Sequence, residues 1–320
     1  APLRPLGSEG ARPRKSSEAR LDFARFPADE AAMRVGIFSF LAAVCFAASA
    51  AAQTSITLSA DPVPIVDAEI NGRAVRLEVD PRMPDMLALS TPAAERLGVR
   101  RIPFAAVGVG IEGGGSMRGR IARPRISFGQ RAARNFAGIF GVPVSTRADG
   151  VIGLGSLPYD IITINLGPAP AQPRQIVFAL EDADIWYSTA QVGGETLRIG
   201  FALGDDASVF NRSAARAFDR AGAIPSAGDL VETPIILGLS TMMQPVTTQL
   251  SLEGLALGPT FARTNSPLLG ALEEDAIVVE AEGNAPPPGL TLGRAALRDA
   301  GCSSISVDRR TRRLTLTCAS

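Results

Sequence analysis

The sequence predicts an all-β protein made of two related halves, and three observations carry that expectation. Residues 71–80, Asn-Gly-Arg-Ala-Val-Arg-Leu-Glu-Val-Asp, align without a gap onto residues 193–202, Gly-Gly-Glu-Thr-Leu-Arg-Ile-Gly-Phe-Ala, so that Asp80 falls opposite Ala202. Self-similarity of this kind signals a duplicated structural unit. Apolar stretches are short, often alternate, and are broken by Gly and Pro, which is the pattern of half-buried strands. The ends of the halves also correspond: Val151-Ile152-Gly153 matches Thr291-Leu292-Gly293, and Arg174 to Val177 sits where Arg313 to Leu316 sits. The expected architecture is two β lobes related by a pseudo-twofold axis, with short helices and a cleft between them.

The elements follow in order. Residues 1–32 are rich in Arg, Pro and Ser, lack periodicity, and are read as a doubtful or disordered leader. Met33-Arg34 opens a short basic region, Val35 to Ala48 is mostly apolar, and small residues follow to Ala52. Segment 33–52 therefore reads as a secretory signal peptide, too short for a membrane span, and predicts a periplasmic or secreted protein. The first lobe is assigned to 53–185. Its strands are Ile56 to Leu58, Ile65 to Ile70, Val75 to Val79 and Leu87 to Leu89, with Asn71-Gly72 as a two-residue hairpin turn. Thr91-Pro92 caps a short helix that stops at Gly98. Strands at 126–128, 137–142, 161–166 and 175–180 complete the lobe. The second lobe, 186–320, repeats the order: a hairpin over 191–202, Ser208 to Phe210, and a helix from Asn211 to Arg220. Strands at 231–237, 246–252, 276–280 and 290–292 follow, then a helix at 294–299 and a final hairpin. Asn211-Arg212-Ser213 matches a glycosylation sequon and is read as the helix cap.

Composition narrows the chemistry. The 320 residues are 46% apolar and 20% charged, enough for a real core, with 32 bases, 32 acids and no histidine. Imidazole catalysis and imidazole metal ligation are excluded. No basic block stands out in the folded region, so no nucleic-acid partner is expected. Gly108-Val109-Gly110-Ile111-Glu112-Gly113 is a literal GxGxxG, but no helix follows it and it reads as a flexible hairpin. The lone lysine is Lys15, which removes a phosphate-binding loop. Glu273-Glu274-Asp275 is read as a solvated face. No cofactor and no metal site are expected. Cys302 and Cys318 flank a hairpin pivoting near residue 310 and face each other across it. A disulfide is expected in an exported protein, with two buried thiols as the alternative. Trp186 and Tyr187 fall at the connection between lobes and are read as packing there.

A hairpin with a Gly turn, an Asp ending its second strand, an apolar strand closing on Ser or Asn, a short helix, and later an apolar-apolar-Gly element together resemble the aspartic peptidases. The similarity is to the bacterial retropepsin-like and pepsin-like group and covers about residues 55–320. Asp149 to Gly155 is similar to that family's second-half signature. The resemblance implies acid-protease-like lobes, a catalytic Asp80, a flap at Gly113, Gly114 and Gly115, and a peptide-sized cleft. Such enzymes use two facing carboxylates that share one proton, each opening an Asp-Thr/Ser-Gly turn.

This chain departs from the pattern. The first turn reads Asp80-Pro81-Arg82-Met83 and the second Ala202-Leu203-Gly204-Asp205. One acid, both hydroxyls and one glycine are missing. A cation at Arg82 favours an ionised Asp80 and opposes proton sharing. Three functions follow. One is an inactive pseudoprotease binding a peptide or protein segment in its cleft. A second is an active endopeptidase using a rearranged pair in which Asp85 and Asp205 approach the interface. The third is a structural or interaction protein whose cleft is closed by side chains such as Arg82 and Met83. A monomer is expected, since both lobes lie in one chain.

Overall fold

The computed structural model describes residues 53–110, 116–181, 186–237, 239–264 and 286–320. Residues 1–32 and 33–52, read as leader and signal peptide, the glycines Gly113 to Gly115 expected in a flap, the strand expected at 276–280 and the acidic run 273–275 lie outside these residues.

The protein is all-β with three short α-helices. The first half contributes β1 (Ser55–Ser59), β2 (Ile65–Ile70), β3 (Arg73–Val79), β4 (Leu87–Ser90), α1 (Thr91–Arg96), β5 (Arg101–Gly110), β6 (Ser116–Ala122), β7 (Arg125–Phe128), β8 (Arg131–Arg134), β9 (Ala137–Phe140), β10 (Gly150–Ile152), β11 (Ile161–Asn165) and β12 (Pro173–Ala179). The second half contributes β13 (Ser188–Val192), β14 (Glu195–Ala202), β15 (Ser208–Phe210), α2 (Arg212–Arg220), β16 (Val231–Ile236), β17 (Leu239–Val246), β18 (Ser251–Leu252), β19 (Leu255–Ala256), β20 (Thr260–Arg263), β21 (Gly289–Gly293), α3 (Arg294–Asp299), β22 (Ser304–Asp308) and β23 (Arg313–Ala319). Among the described residues no helix is long and apolar enough to cross a membrane.

The repeat read in the sequence is a repeat of topology. The nine-stranded sheet runs β5-β6-β9-β4-β10-β3-β2-β7-β8, and the seven-stranded sheet, read from its other edge, runs β16-β17-β20-β15-β21-β14-β13. Seven strands thus occur in the same order. The senses agree too: β3 is parallel to β10 as β14 is to β21, and β4 is parallel to β9 as β15 is to β20. Register places Val79 beside Ile152 and Phe201 beside Leu292, as the matched motifs require. Both hairpins turn through two residues with positive φ, Asn71 (53°) with Gly72 (76°) and Gly193 (56°) with Gly194 (88°). That geometry suits the right-handed twist of the strands it joins, and Asn or Gly reach it at little cost.

The third sheet, β1-β11-β22-β23-β12, takes strands from both sides of the boundary expected near residue 185. Ile164, Ile176, Leu314 and Leu316 bury its apolar face in a core that also holds Leu77, Leu197 and Phe210.

Four local expectations are corrected. The α1 cap is Ser90, whose hydroxyl accepts from Ala93 N at 3.3 Å, while Thr91 Oγ1 donates to the Phe140 carbonyl. Asn211 caps α2 as expected, accepting from Ala214 N at 2.9 Å. The strand expected over 246–252 is split: β17 ends at Val246, and β18 pairs only with β19 through a Glu253-Gly254 turn. The hairpin read around Gly108 to Gly113 corresponds to the antiparallel pair β5 and β6, whereas strand β8 was not expected, because Arg at both of its ends leaves it little apolar alternation. In the last hairpin Asp308 faces Arg313, so the register is one residue away from a pivot at 310. Asp308 accepts from Arg310 N and Thr311 N, which builds a longer turn with Arg312 at φ 52°. Cys302 and Cys318 still form the disulfide.

Candidate functional site

Strands β3 and β14 end at equivalent places and deliver Asp80 and Ala202 to one cavity of about 590 Å³, whose walls come from both halves. The two turns that follow are held in the same way. Gly153 lies so close to the first turn that an added Cβ would sit 2.0 Å from the Pro84 carbonyl oxygen. Gly293 lies equally close to the second, with a Cβ 2.3 Å from the Asp206 oxygen. Pro84 and Asp206 each stand four residues beyond the twin positions. Only glycine permits such contact, so the apolar-apolar-Gly element is a packing requirement in both halves.

Asp80 is 8% exposed. Its backbone N–H donates to the Ile152 carbonyl, fixing it to β10. Its carboxylate accepts from Arg82 N (2.8 Å), Nε (3.0 Å) and Nη2 (2.8 Å). Pro81 presets the bend that lets residue 82 turn back on residue 80. The free end of the same guanidinium donates from Nη1 to Asp205 Oδ2 at 2.6 Å. One cation therefore spans the two turns and ties an acid on each. Burial opposes the charge on Arg82, but the Asp80 and then the Asp205 carboxylates outweigh it and hold its pKa above the ordinary value. Arg82 has no proton to give at any working pH. Bidentate pairing of this kind suits a planar guanidinium and fixes orientation as well as charge.

The remaining residues separate into groups. Met83 and Leu203 are buried packing residues at 2% and 1% exposure, and Pro81 is buried with them. Gly204 lines the cavity. Asp205 is brought toward Asp80 but meets it only through Arg82. Asp85 is not in the cavity wall: its carboxylate packs on Gly155 and accepts from Trp186 Nε1 at 3.2 Å. Of the rearranged pair weighed as an alternative, only Asp205 reaches the cavity, because residue 85 turns outward after Pro84. Trp186 also carries Arg309 5.8 Å above its ring and packs on the core, as read from its place in the chain.

Three features were not legible beforehand. Glu78 lines the cavity and accepts from Ser145 Oγ at 2.7 Å, with Arg147 at 3.8 Å. Asp206 pairs with Arg294 at 3.0 Å, and Arg294 Nη1 donates across to the Pro62 carbonyl. The β16–β17 hairpin forms another wall through Thr233, Ile235 and Met243. Its turn residue Leu237 is 3% exposed and clusters with Met83, Val144 and Val151 of the first half. No spacing rule pairs residue 237 with residue 83. The volume falls within the range of small-ligand sites. Neither a protein-family model nor a curated protein matches the chain.

Proposed function

We propose that the chain is an aspartic-peptidase-like pseudoprotease that is exported to the periplasm or beyond and holds a peptide segment in its cavity without cleaving it. The observation that carries this reading is the position of Arg82 between Asp80 and Asp205. Acid–base cleavage by a carboxylate pair needs two carboxyls in hydrogen-bond reach with one proton between them. Here a permanent cation fills that place, and the twin of Asp80 is a methyl. The repeated strand order, the paired glycines at 153 and 293 and the shared cavity support descent of the site from a two-acid arrangement. The disulfide favours an oxidising compartment.

Incubation with a peptide library at acid pH tests the reading. No turnover is expected, and a peptide that binds is expected to keep its affinity in Asp80→Asn. Pepstatin-sensitive cleavage that disappears in Asp80→Ala would overturn it. The seating of Leu237 against Met83 and Val144 favours a second reading, an interaction protein with a closed cleft. In that case no library peptide binds, and cleft substitutions change stability alone.

A further inference from the structure

Eight arginines and no acid lie among the described residues between 100 and 134. They are dispersed along the chain and are gathered by the ladders. Arg101 faces Ala122 across β5 and β6, and Ala122 faces Ala137 across β6 and β9. Arg125 directly faces Arg134 across β7 and β8. Two-residue links, Arg123-Pro124 and Asn135-Phe136, join these rows. β5-β6 and β7-β8 are opposite ends of the nine-stranded sheet, and these short links hold the two ends close together; the corner where they meet collects Arg101, Arg123, Arg125 and Arg134. Farther along β6, Arg118 and Arg120 are exposed and stand two residues apart, on one face. Like charges directly opposite each other destabilise a sheet unless an anion meets them. Among the described residues none of Arg118, Arg120, Arg123, Arg125 and Arg134 forms an ion pair with a carboxylate.

Large apolar side chains stand at the same corner. Phe104 is fully exposed at 101%, Phe136 is 55% exposed and Ile102 38%. Arg123 lies 5.3 Å from the centre of the Phe136 ring. Phe104 sits in the register break of β5 between Arg101 and Ala106, at φ 60°. A bulky residue in the left-handed region is strained. Here the strained residue makes no buried contact that would offset the strain.

We propose that this corner docks on an anionic lipid bilayer, with the arginines at the headgroup phosphates and Phe104, Ile102 and Phe136 at the acyl boundary. Basic residues around exposed aromatics are the signature of interfacial binding. Single-stranded nucleic acid also takes Arg and aromatics, but its aromatics line a groove on which bases stack. Phe104 instead projects from a bulge on an edge strand, as a wedge does. The proposal is independent of the cavity and of its ligand.

Cosedimentation of the full chain with vesicles tests it, comparing pure phosphatidylcholine with an equal mixture of phosphatidylcholine and phosphatidylglycerol. The expected result is preferential binding to the phosphatidylglycerol vesicles that fades as salt rises. Each arginine near the surface is worth about fivefold in partition, so Arg123→Gln with Arg125→Gln should lose roughly 25-fold. Phe104→Ser should lose several-fold on the same vesicles. The arginine variant should leave the residual binding to pure phosphatidylcholine, which carries no net charge, unchanged. Equal binding to both vesicles, or no response to either variant, overturns the proposal. So does binding of a single-stranded oligonucleotide that exceeds lipid binding and ignores Phe104→Ser. If a variant fails to fold, the lipid and salt dependence of the unaltered chain decides.

Discussion

Replacing Arg82 with Met keeps a side chain of similar length and removes the cation that ties the two turns. Asp80, at 8% exposure, would retain one partner, the residue-82 backbone N–H now at 2.8 Å. Stripping one member from a buried ion pair costs about 3–5 kcal/mol. The adjoining cavity admits some water and the backbone donor remains, so about 2–3 kcal/mol is expected here. For a domain of this size that lowers Tm by about 5–10 °C. Asp80→Asn should cost less, about 1 kcal/mol, because Arg82 keeps Asp205 and the amide still accepts a hydrogen bond. The Asp80→Asn, Arg82→Met double variant should therefore be milder than the sum of the singles, with a coupling of roughly 1–2 kcal/mol. Urea unfolding at neutral pH with the disulfide intact measures all three. If Arg82→Met unfolds at the wild-type midpoint, or the double variant is strictly additive, the cation does not hold the turns together and the account of the site fails.

Three further outcomes are expected. Asp160 accepts from Thr54 N and from Arg310, and the Thr54 N–H, then Arg310, hold its pKa down to about 2. Its stabilising contribution is thus present above the unfolded value of about 3.9 and is lost as pH falls through about 2; a carboxyl NMR titration, or the missing acid-limb loss in Asp160→Asn, checks this. Gly153→Ala and Gly293→Ala should each destabilise by about 2–3 kcal/mol or more by overpacking. Gly108→Ala should be close to neutral, since nothing lies within 4 Å of the added methyl, and thermal melts of the three compare them directly. Replacing Cys302 and Cys318 by Ala should cost about 3 kcal/mol on the chain-entropy account, read from denaturant midpoints, and wild-type intact mass should rise by two hydrogens on reduction.

Local order determined much of the molecule. The Asn71-Gly72 and Gly193-Gly194 turns, the alternation of β2 and β3, the cap at Asn211 and the match of Gly153 with Gly293 all arise from neighbours along the chain. They were readable because backbone geometry and alternation act over a few residues. The pairing of positions 80 and 202 was readable for the same reason, since a repeated segment repeats its end point. What lay across the halves was not. The sequence showed that Arg82 replaces a glycine beside Asp80, but not that its other end would reach Asp205 at 2.6 Å. The burial of Leu237 against Met83, the outward turn of Asp85 and the arginines collected at the end of β6 depend on ladder register and on which sheet edges meet. Charges spaced along four strands look diluted in one dimension and become a surface only when ladders and short links bring those strands together.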